Sequence, residues 1–163
     1  MVRSAILEKG EHHYTNMAKV FNAIENEQLK YNWLITNCEC YPEDKRINEM
    51  FSKEYIWISG EQLTEIINKD NFQFIWGVFS GFTPEVTLEE ALRYDLPFAD
   101  GYEGFWVNNV GIQHPLAEVE IVAWDSSLTL LISKNNKLIE DFHSTFPLSE
   151  DLSALNTRNN LKG

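Results

Sequence analysis

Hydrophobic side chains recur along the chain at two spacings, which predict both helices and strands. Between Met17 and Ile24 they recur every three or four positions, which predicts an amphipathic helix over about 15–29. Over 31–40 the side chains alternate as they do in a strand. The run 72–82 is the longest strand candidate. Because both of its faces are apolar, we expect it at the centre of a sheet.

Two sequence signatures mark helix starts. Ser59 is followed three positions later by Gln62, directly after a short aromatic and β-branched run at 55–58. Thr87 and Glu90 repeat this pattern. In such a capping box the two side chains satisfy main-chain N–H groups at a helix N-terminus. The sequence therefore predicts a strand passing directly into a helix at Ser59 and a short helix after Thr87.

The C-terminal third predicts a hairpin, a helix and a polar tail. The apolar runs 117–124 and 128–133 flank three turn-forming residues, which is typical of a β-hairpin. Helical spacing follows over 138–146, and Pro147 ends it. Residues 148–163 are polar and are expected as a mobile C-terminal tail.

The order of these elements predicts the fold class. Strands and helices interleave without the βαβ regularity or the glycine-rich turn of a nucleotide-binding sheet. We therefore expect an α+β fold with a mostly antiparallel sheet and helices packed on one face. No repeat or linker divides the chain, so residues 1–163 are expected to form a single domain, with a long irregular connection over 100–115.

Charge and hydropathy exclude several classes of protein. The 163 residues include 25 acidic and 13 basic side chains, a net charge of −12. A nucleic-acid-binding surface needs a basic stripe, so we expect no nucleic-acid partner. No run of eighteen apolar residues occurs, and no long apolar region follows the N-terminus. We therefore expect no membrane association and a cytoplasmic location.

Motifs for catalysis and metal binding are absent from the sequence. Cys38 and Cys40 are two positions apart rather than in a C-x-x-C pair, and the four histidines have no zinc-binding spacing. The glycines of a nucleophile elbow around Ser80 are replaced by Val78 and Phe82. No phosphate-binding glycine loop occurs. The prediction is a protein without enzymatic activity, metal or cofactor.

Charge is distributed unevenly along the chain. Residues 70–133, the acidic segment, hold ten acids against one base, Arg93, and so carry nine of the twelve surplus negative charges. Either the segment forms an ordinary solubilising surface or it forms an interaction face. Aromatic residues occur among its acids, and aromatic side chains are the usual anchors of binding surfaces. These aromatics are Tyr94, Phe98, Tyr102, Phe105 and Trp106.

The blocks 55–82 and 119–147, within a small acidic α+β chain, resemble immunity proteins of bacterial toxin–antitoxin systems, including contact-dependent growth inhibition systems. The resemblance implies a stoichiometric toxin inhibitor that binds a cognate toxin domain, often a basic nuclease, inside the producing cell. These families share no binding motif, so the resemblance assigns no residue.

We expect the partner-binding surface between positions 85 and 125. The candidate residues are Glu89, Glu90, Asp95, Asp100, Tyr102, Glu103 and Trp106. Two alternatives remain open at this stage. One is a small hydrolase with a carboxylate–histidine site around His114. The other is a non-catalytic ligand-binding regulatory module with a pocket beneath the long connection.

Overall fold

Seven strands form one antiparallel sheet in the computed structural model, which describes residues 1–70 and 72–162. The order across the sheet is β3-β2-β4-β5-β6-β1-β7, and every pairing is antiparallel. The strands are β1 (Arg3–Leu7), β2 (Asn32–Cys40), β3 (Tyr55–Ser59), β4 (Phe74–Phe82), β5 (Val119–Trp124), β6 (Leu128–Ser133) and β7 (Glu150–Asp151). The predicted α+β class is confirmed, and β4 lies inside the sheet between β2 and β5 as expected.

Six helices accompany the sheet in the described part of the chain. They are α1 (Met17–Ala23), α2 (Lys45–Phe51), α3 (Gly60–Lys69), α4 (Leu88–Ala91), α5 (Asn136–Thr145) and α6 (Leu152–Lys162). The apolar sides of α1, α2, α3 and α5 pack on one face of the sheet. Alternation along each strand assigns its side chains to the two faces. Trp33 and Ile35 therefore join this core, while Leu34 faces the other way.

The second face of the sheet is covered by a mostly irregular segment, residues 83–117, which we call the cap. Ala99, Phe105 and Val110 of the cap are buried against sheet residues such as Val78 and Val122. The helix α4 belongs to the cap, and α6 packs beside it through Leu152. The molecule therefore has three layers: helices, sheet and cap.

The local signatures at helix starts and at the hairpin are confirmed. Both capping boxes form, with Ser59 and Thr87 as N-caps and with Gln62 and Glu90 returning the hydrogen bond. The strands β5 and β6 pair over six residues on each side of the predicted turn. Its first residues, Asp125 and Ser126, have φ angles of 50° and 57°. Positive φ at both central positions matches the twist of the strands they join.

The first helix is shorter than its apolar pattern predicts. It ends at Ala23, because Glu25 and Asn26 adopt left-handed φ angles of 54° and 61°. Residues in this conformation cannot continue an α-helix. Apart from Gly, Asn is among the residue types that adopt it most readily. A 3₁₀ turn at Glu27–Lys30 then leads into β2.

The N-terminal strand and the C-terminal helix were not predicted. β1 pairs with β6 over five residues, although its sequence is too short to show alternation. The expected mobile tail over 148–163 is wrong for Glu150–Lys162, which forms β7 and α6. Buried Leu152 and Asn156 hold α6 against the rest of the chain, so a polar composition did not mean an unattached segment.

Candidate protein-binding site

The cap is tied to the sheet by side chains that bond its main chain. Asn37 has a φ of 53° beside a register shift in β2, and its Oδ1 accepts the N–H groups of Ala99 (2.9 Å) and Asp100 (3.4 Å). Gln113 crosses the cap to Phe98, accepting its N–H at 3.0 Å and donating to its carbonyl at 2.9 Å. These contacts fix the conformation of a segment that has little secondary structure.

His114 is a structural residue of the cap. Its Nε2 lies 2.8 Å from the carbonyl oxygen of Ala91, and its Nδ1 accepts the N–H of Leu116 at 3.1 Å. The ring is buried edge-on against Phe82 and Tyr94. Burial lowers the pKa of His114, which favours the neutral ring that these two contacts require. Neither nitrogen is available to a substrate or a metal here, so the hydrolase alternative gains no support.

Glu120 lies beneath the cap with its carboxyl group completely buried. One oxygen accepts the N–H of Gln113 at 3.1 Å, while the other has no hydrogen-bond partner among the described residues. The hydroxyl of Ser80, its neighbour across the β4–β5 pairing, also lacks a partner there. Burial raises the pKa of Glu120 to about 8, against the lowering effect of the main-chain N–H groups of Gln113 and His114. This carboxyl is therefore protonated at neutral pH.

The acidic segment does not form one continuous surface. Asp70 lies at the C-terminus of α3, and Asp125 lies in the hairpin turn. Oε1 of Glu118 lies 3.7 Å from Nζ of Lys134, and the side chain of Glu120 is buried inside the protein. The other six acids all belong to the cap, where the one base is Arg93.

Four of the seven candidate residues are exposed on the cap. They are Glu89, Asp95, Asp100 and Glu103. Glu90 has a structural role instead, since its carboxylate accepts the N–H (3.2 Å) and hydroxyl (3.0 Å) of Thr87. These bonds, together with nearby Arg93, lower the pKa of Glu90. Replacing Glu90 would therefore disturb α4 as well as any partner contact.

The two aromatic candidates point partly inward. Tyr102 is half-buried, with its ring centroid 5.4 Å from that of Phe98 and 4.6 Å from that of Phe105. Trp106 is half-buried, and its ring centroid lies 5.5 Å from that of Trp124. Both rings support the cap from below, and each exposes only part of its surface to a partner.

Four other apolar residues of the cap are more exposed than these two. They are Leu92, Tyr94, Phe98 and Val107, between 37% and 44% exposed. Tyr94 and Phe98 belong to the aromatic set noted in the sequence. The segment has no periodicity, however, so no sequence signal separates outward rings from inward ones. The candidate surface therefore consists of these four side chains and the four exposed candidate carboxylates.

Helix α6 packs against one side of the cap and hydrogen-bonds to its main chain. The Nδ2 of Asn156 donates to the carbonyl oxygens of Phe105 (2.8 Å) and Val107 (2.9 Å). The hydroxyl of Ser153 accepts the N–H of Val110 at 3.1 Å. A buried asparagine with two main-chain partners fixes the position of α6 relative to the cap.

Replacing Asn156 with alanine is expected to lower the free energy of unfolding by about 1–3 kcal/mol, because two carbonyl groups lose a buried donor. Urea unfolding measures the loss, and amide exchange should become faster over 105–110. Asn159→Ala, at an exposed position on the same helix, is the control. Equal stability of the two variants would contradict the role of Asn156 in attaching α6 to the cap.

Two cavities lie near β3, and only the smaller one reaches the cap. The smaller, about 340 Å³, separates β2 from the cap and reaches Thr36, whose buried hydroxyl has no partner among the described residues. The larger, about 760 Å³, follows the outer edge of β3 between α2 and α3. Lys53 and Glu54 line both, so the two cavities adjoin.

Within residues 1–70 and 72–162, no arrangement of side chains is suited to metal binding or to thiol chemistry. No group of three metal-ligating side chains occurs there. Cys38 and Cys40 are free thiols, and burial raises both pKa values, that of Cys40 to about 12. Over the same residues, no helix has the length and apolarity needed to cross a bilayer.

A family model described as a protein of unknown function matches residues 4–99, more than half of the chain. The match runs from β1 into the cap and includes Glu89, Glu90 and Asp95. No curated protein and no solved structure matches the sequence.

Proposed function

We propose that this chain, which belongs to the DUF2691 family, is an immunity protein that binds and neutralises a cognate toxin domain of a bacterial toxin–antitoxin system. The toxin is a basic nuclease, and the inhibitor acts without a catalytic step. It acts in the cytoplasm of the producing cell, as in contact-dependent growth inhibition. The family description names no activity, so support for the proposal comes from the surface of this chain.

One observation carries the proposal: the cap presents apolar side chains and unbalanced carboxylates on the same layer. Six acids against Arg93 give the cap a strong negative charge. Phe98 and Tyr94, more than 40% exposed, lie among these acids. A surface that served only solubility would intersperse both signs of charge and bury its rings.

The chemistry of this surface fits a nuclease. An enzyme that binds a phosphate backbone presents a positive cleft. Carboxylates on the cap can occupy such a cleft as substitutes for phosphates, and long-range attraction speeds their encounter with it. Charge alone would accept any basic protein, so we assign specificity to desolvated contacts of Phe98 and Tyr94.

The cap is also held ready for binding. Asn37, His114 and Asn156 each bond its main chain at a different place. A surface fixed before association loses less conformational entropy when it binds. This rigidity suits an inhibitor that must capture its toxin quickly.

Co-expression tests the proposal. The chain is produced with the product of the adjacent reading frame, and the pair is purified by size exclusion. We expect the two proteins to elute together and the toxicity of the partner to disappear. Separate elution with undiminished toxicity, from each adjacent frame in turn, would contradict the proposal.

The smaller cavity favours a second candidate, a non-catalytic ligand-binding module. It has a volume of about 340 Å³, adjoins the cap, and contains the unpartnered hydroxyl of Thr36. Native mass spectrometry of the purified chain would detect a retained metabolite. Loss of that metabolite in Thr36→Val would place it in this cavity.

A further inference from the structure

We propose that the outer edge of β3 accepts an extended segment of a basic partner protein as an additional strand. This inference rests on the proposed function, because the partner is taken to be the toxin that binds the cap. It assigns a second contact area outside the cap, at the groove between α2 and α3.

The main-chain groups of β3 alternate in direction. The N–H of Gly60 donates to the carbonyl oxygen of Tyr31 at 2.9 Å, on the side of β2. Alternate residues of an antiparallel strand point the same way, so Ile58 and Ile56 also bond β2. Tyr55 and Trp57 therefore direct their N–H and C=O groups away from the sheet.

No strand lies on that outer side among the described residues. The N–H of Ser59, which also points outward, is already bonded to Oε1 of Gln62 at 3.4 Å. This bond marks the end of the open edge. Two residues with free donors and acceptors, Tyr55 and Trp57, therefore remain for an incoming strand, which would lie about 4.8 Å from β3.

A groove of about 760 Å³ runs along this edge. Its apolar lining comes from β3 and from both flanking helices, through Ile56, Ile58, Met50 and Ile66. An extended chain sends alternate side chains to opposite faces. Apolar side chains on one face of the incoming strand would fill the groove while its main chain pairs with β3.

Charge favours a basic strand. Two exposed carboxylates, Glu54 and Glu65, line the groove with one cation, Lys53. Through Lys53 and Glu54 the groove adjoins the smaller cavity, whose opposite wall includes Phe98 of the cap. A partner seated on the cap can therefore reach β3 without crossing an intervening element.

A second copy of this chain fits the edge less well. It would present an identical concave groove, and two concave grooves placed edge to edge leave each other unfilled. It would also bring a second set of carboxylates equivalent to Glu54 and Glu65 to the same place. We therefore assign the edge to a different, basic protein.

The test uses the full chain and the peptide acetyl-Lys-Val-Lys-Val-Lys-Val-Lys-amide, followed by amide NMR. We expect saturable shifts at Tyr55 and Trp57. Tyr55 is the first residue of β3, where proline is tolerated, so Tyr55→Pro removes an outward N–H and spares the bonds to β2. Tyr55→Ala loses the same side chain and keeps that N–H. We expect the proline variant to bind about tenfold more weakly than the alanine variant, since one hydrogen bond is lost.

A surface variant keeps the test valid if Tyr55→Pro does not fold. Glu65→Lys reverses an exposed groove charge on α3 and should weaken peptide binding several-fold, as should replacement of the peptide lysines by glutamate. When the co-expressed partner protein binds, exchange at Tyr55 and Trp57 should become at least about tenfold slower, while Ile56 stays protected throughout.

These measurements separate the two proposals. If the partner binds the cap and neither partner nor peptide changes Tyr55 and Trp57, the β3 inference is overturned and the proposed function stands. If the adjacent-frame product does not bind but the peptide does, the edge remains a strand-binding site and the proposed function fails. Equal binding by Tyr55→Pro and Tyr55→Ala, or a dimer in light scattering that Tyr55→Pro dissociates, would also overturn the inference.

Discussion

Replacing Glu120 with glutamine is expected to stabilise the protein at pH 8 and to remove a large part of its pH dependence. In the folded chain, burial raises the pKa of this carboxyl to about 8, from an ordinary value of 4.5. Between these pH values the folded state binds a proton that the unfolded state has released. Stability therefore decreases as pH rises, by about 1.4 kcal/mol per pH unit for this group, and levels off above pH 8.

Glutamine keeps the shape and the hydrogen-bonding capacity of the protonated acid. It can still accept the N–H of Gln113, and its amide can donate to the unpartnered hydroxyl of Ser80 on the neighbouring strand. At pH 8 we expect a gain of about 4 kcal/mol over wild type, which falls below about 1 kcal/mol near pH 5. Urea unfolding at several pH values measures the difference.

The matched control is Glu103→Gln, an exposed carboxyl on the cap. It should leave the pH profile of wild type unchanged. If the difference between Glu120→Gln and wild type is the same at pH 5 and pH 8, Glu120 does not carry a proton in the folded protein.

Elements whose cause is local could be predicted from the sequence. Both capping boxes depend on two side chains three positions apart, and both form at the predicted residues. β4 could be placed at the centre of the sheet because a strand buried on both faces is apolar on both. In each case the residues that decide the structure are close together in the sequence.

Elements that depend on distant contacts could not be predicted. β1 is specified by its pairing with β6, more than 120 residues further along the chain. α6 has no apolar stripe, since much of its attachment is the polar bond from Asn156 to the main chain at Phe105 and Val107. The left-handed pair at Glu25 and Asn26 likewise ended α1 inside an uninterrupted helical pattern.

The candidate site shows the same division. Composition indicated an acidic, aromatic segment, and the structure places four of the seven candidates on one exposed layer. The outward direction of Phe98 depends on Gln113, which bonds the N–H and C=O of Phe98 itself, and on Asn37, which accepts the N–H of the next residue, Ala99. The burial of Glu120 depends on the cap lying over β5. Neither relation has a local sequence signal.

Reversing the charges of Asp100 and Glu103 to lysine is expected to weaken toxin binding by about 10- to 100-fold at low salt, mainly through slower association. Both side chains are exposed, and neither lies within ion-pair distance of a described basic group, so the fold should be preserved. Because long-range attraction is screened by salt, the affinity of the variant should also depend less on ionic strength. The control reverses Glu43, an exposed position before α2, and Glu140, an exposed position on α5, both away from the groove at β3. It changes net charge equally and should retain most of the wild-type association rate. Stopped-flow association at two salt concentrations distinguishes the pairs, and equal effects from both would show that the cap acts only through the overall charge of the chain.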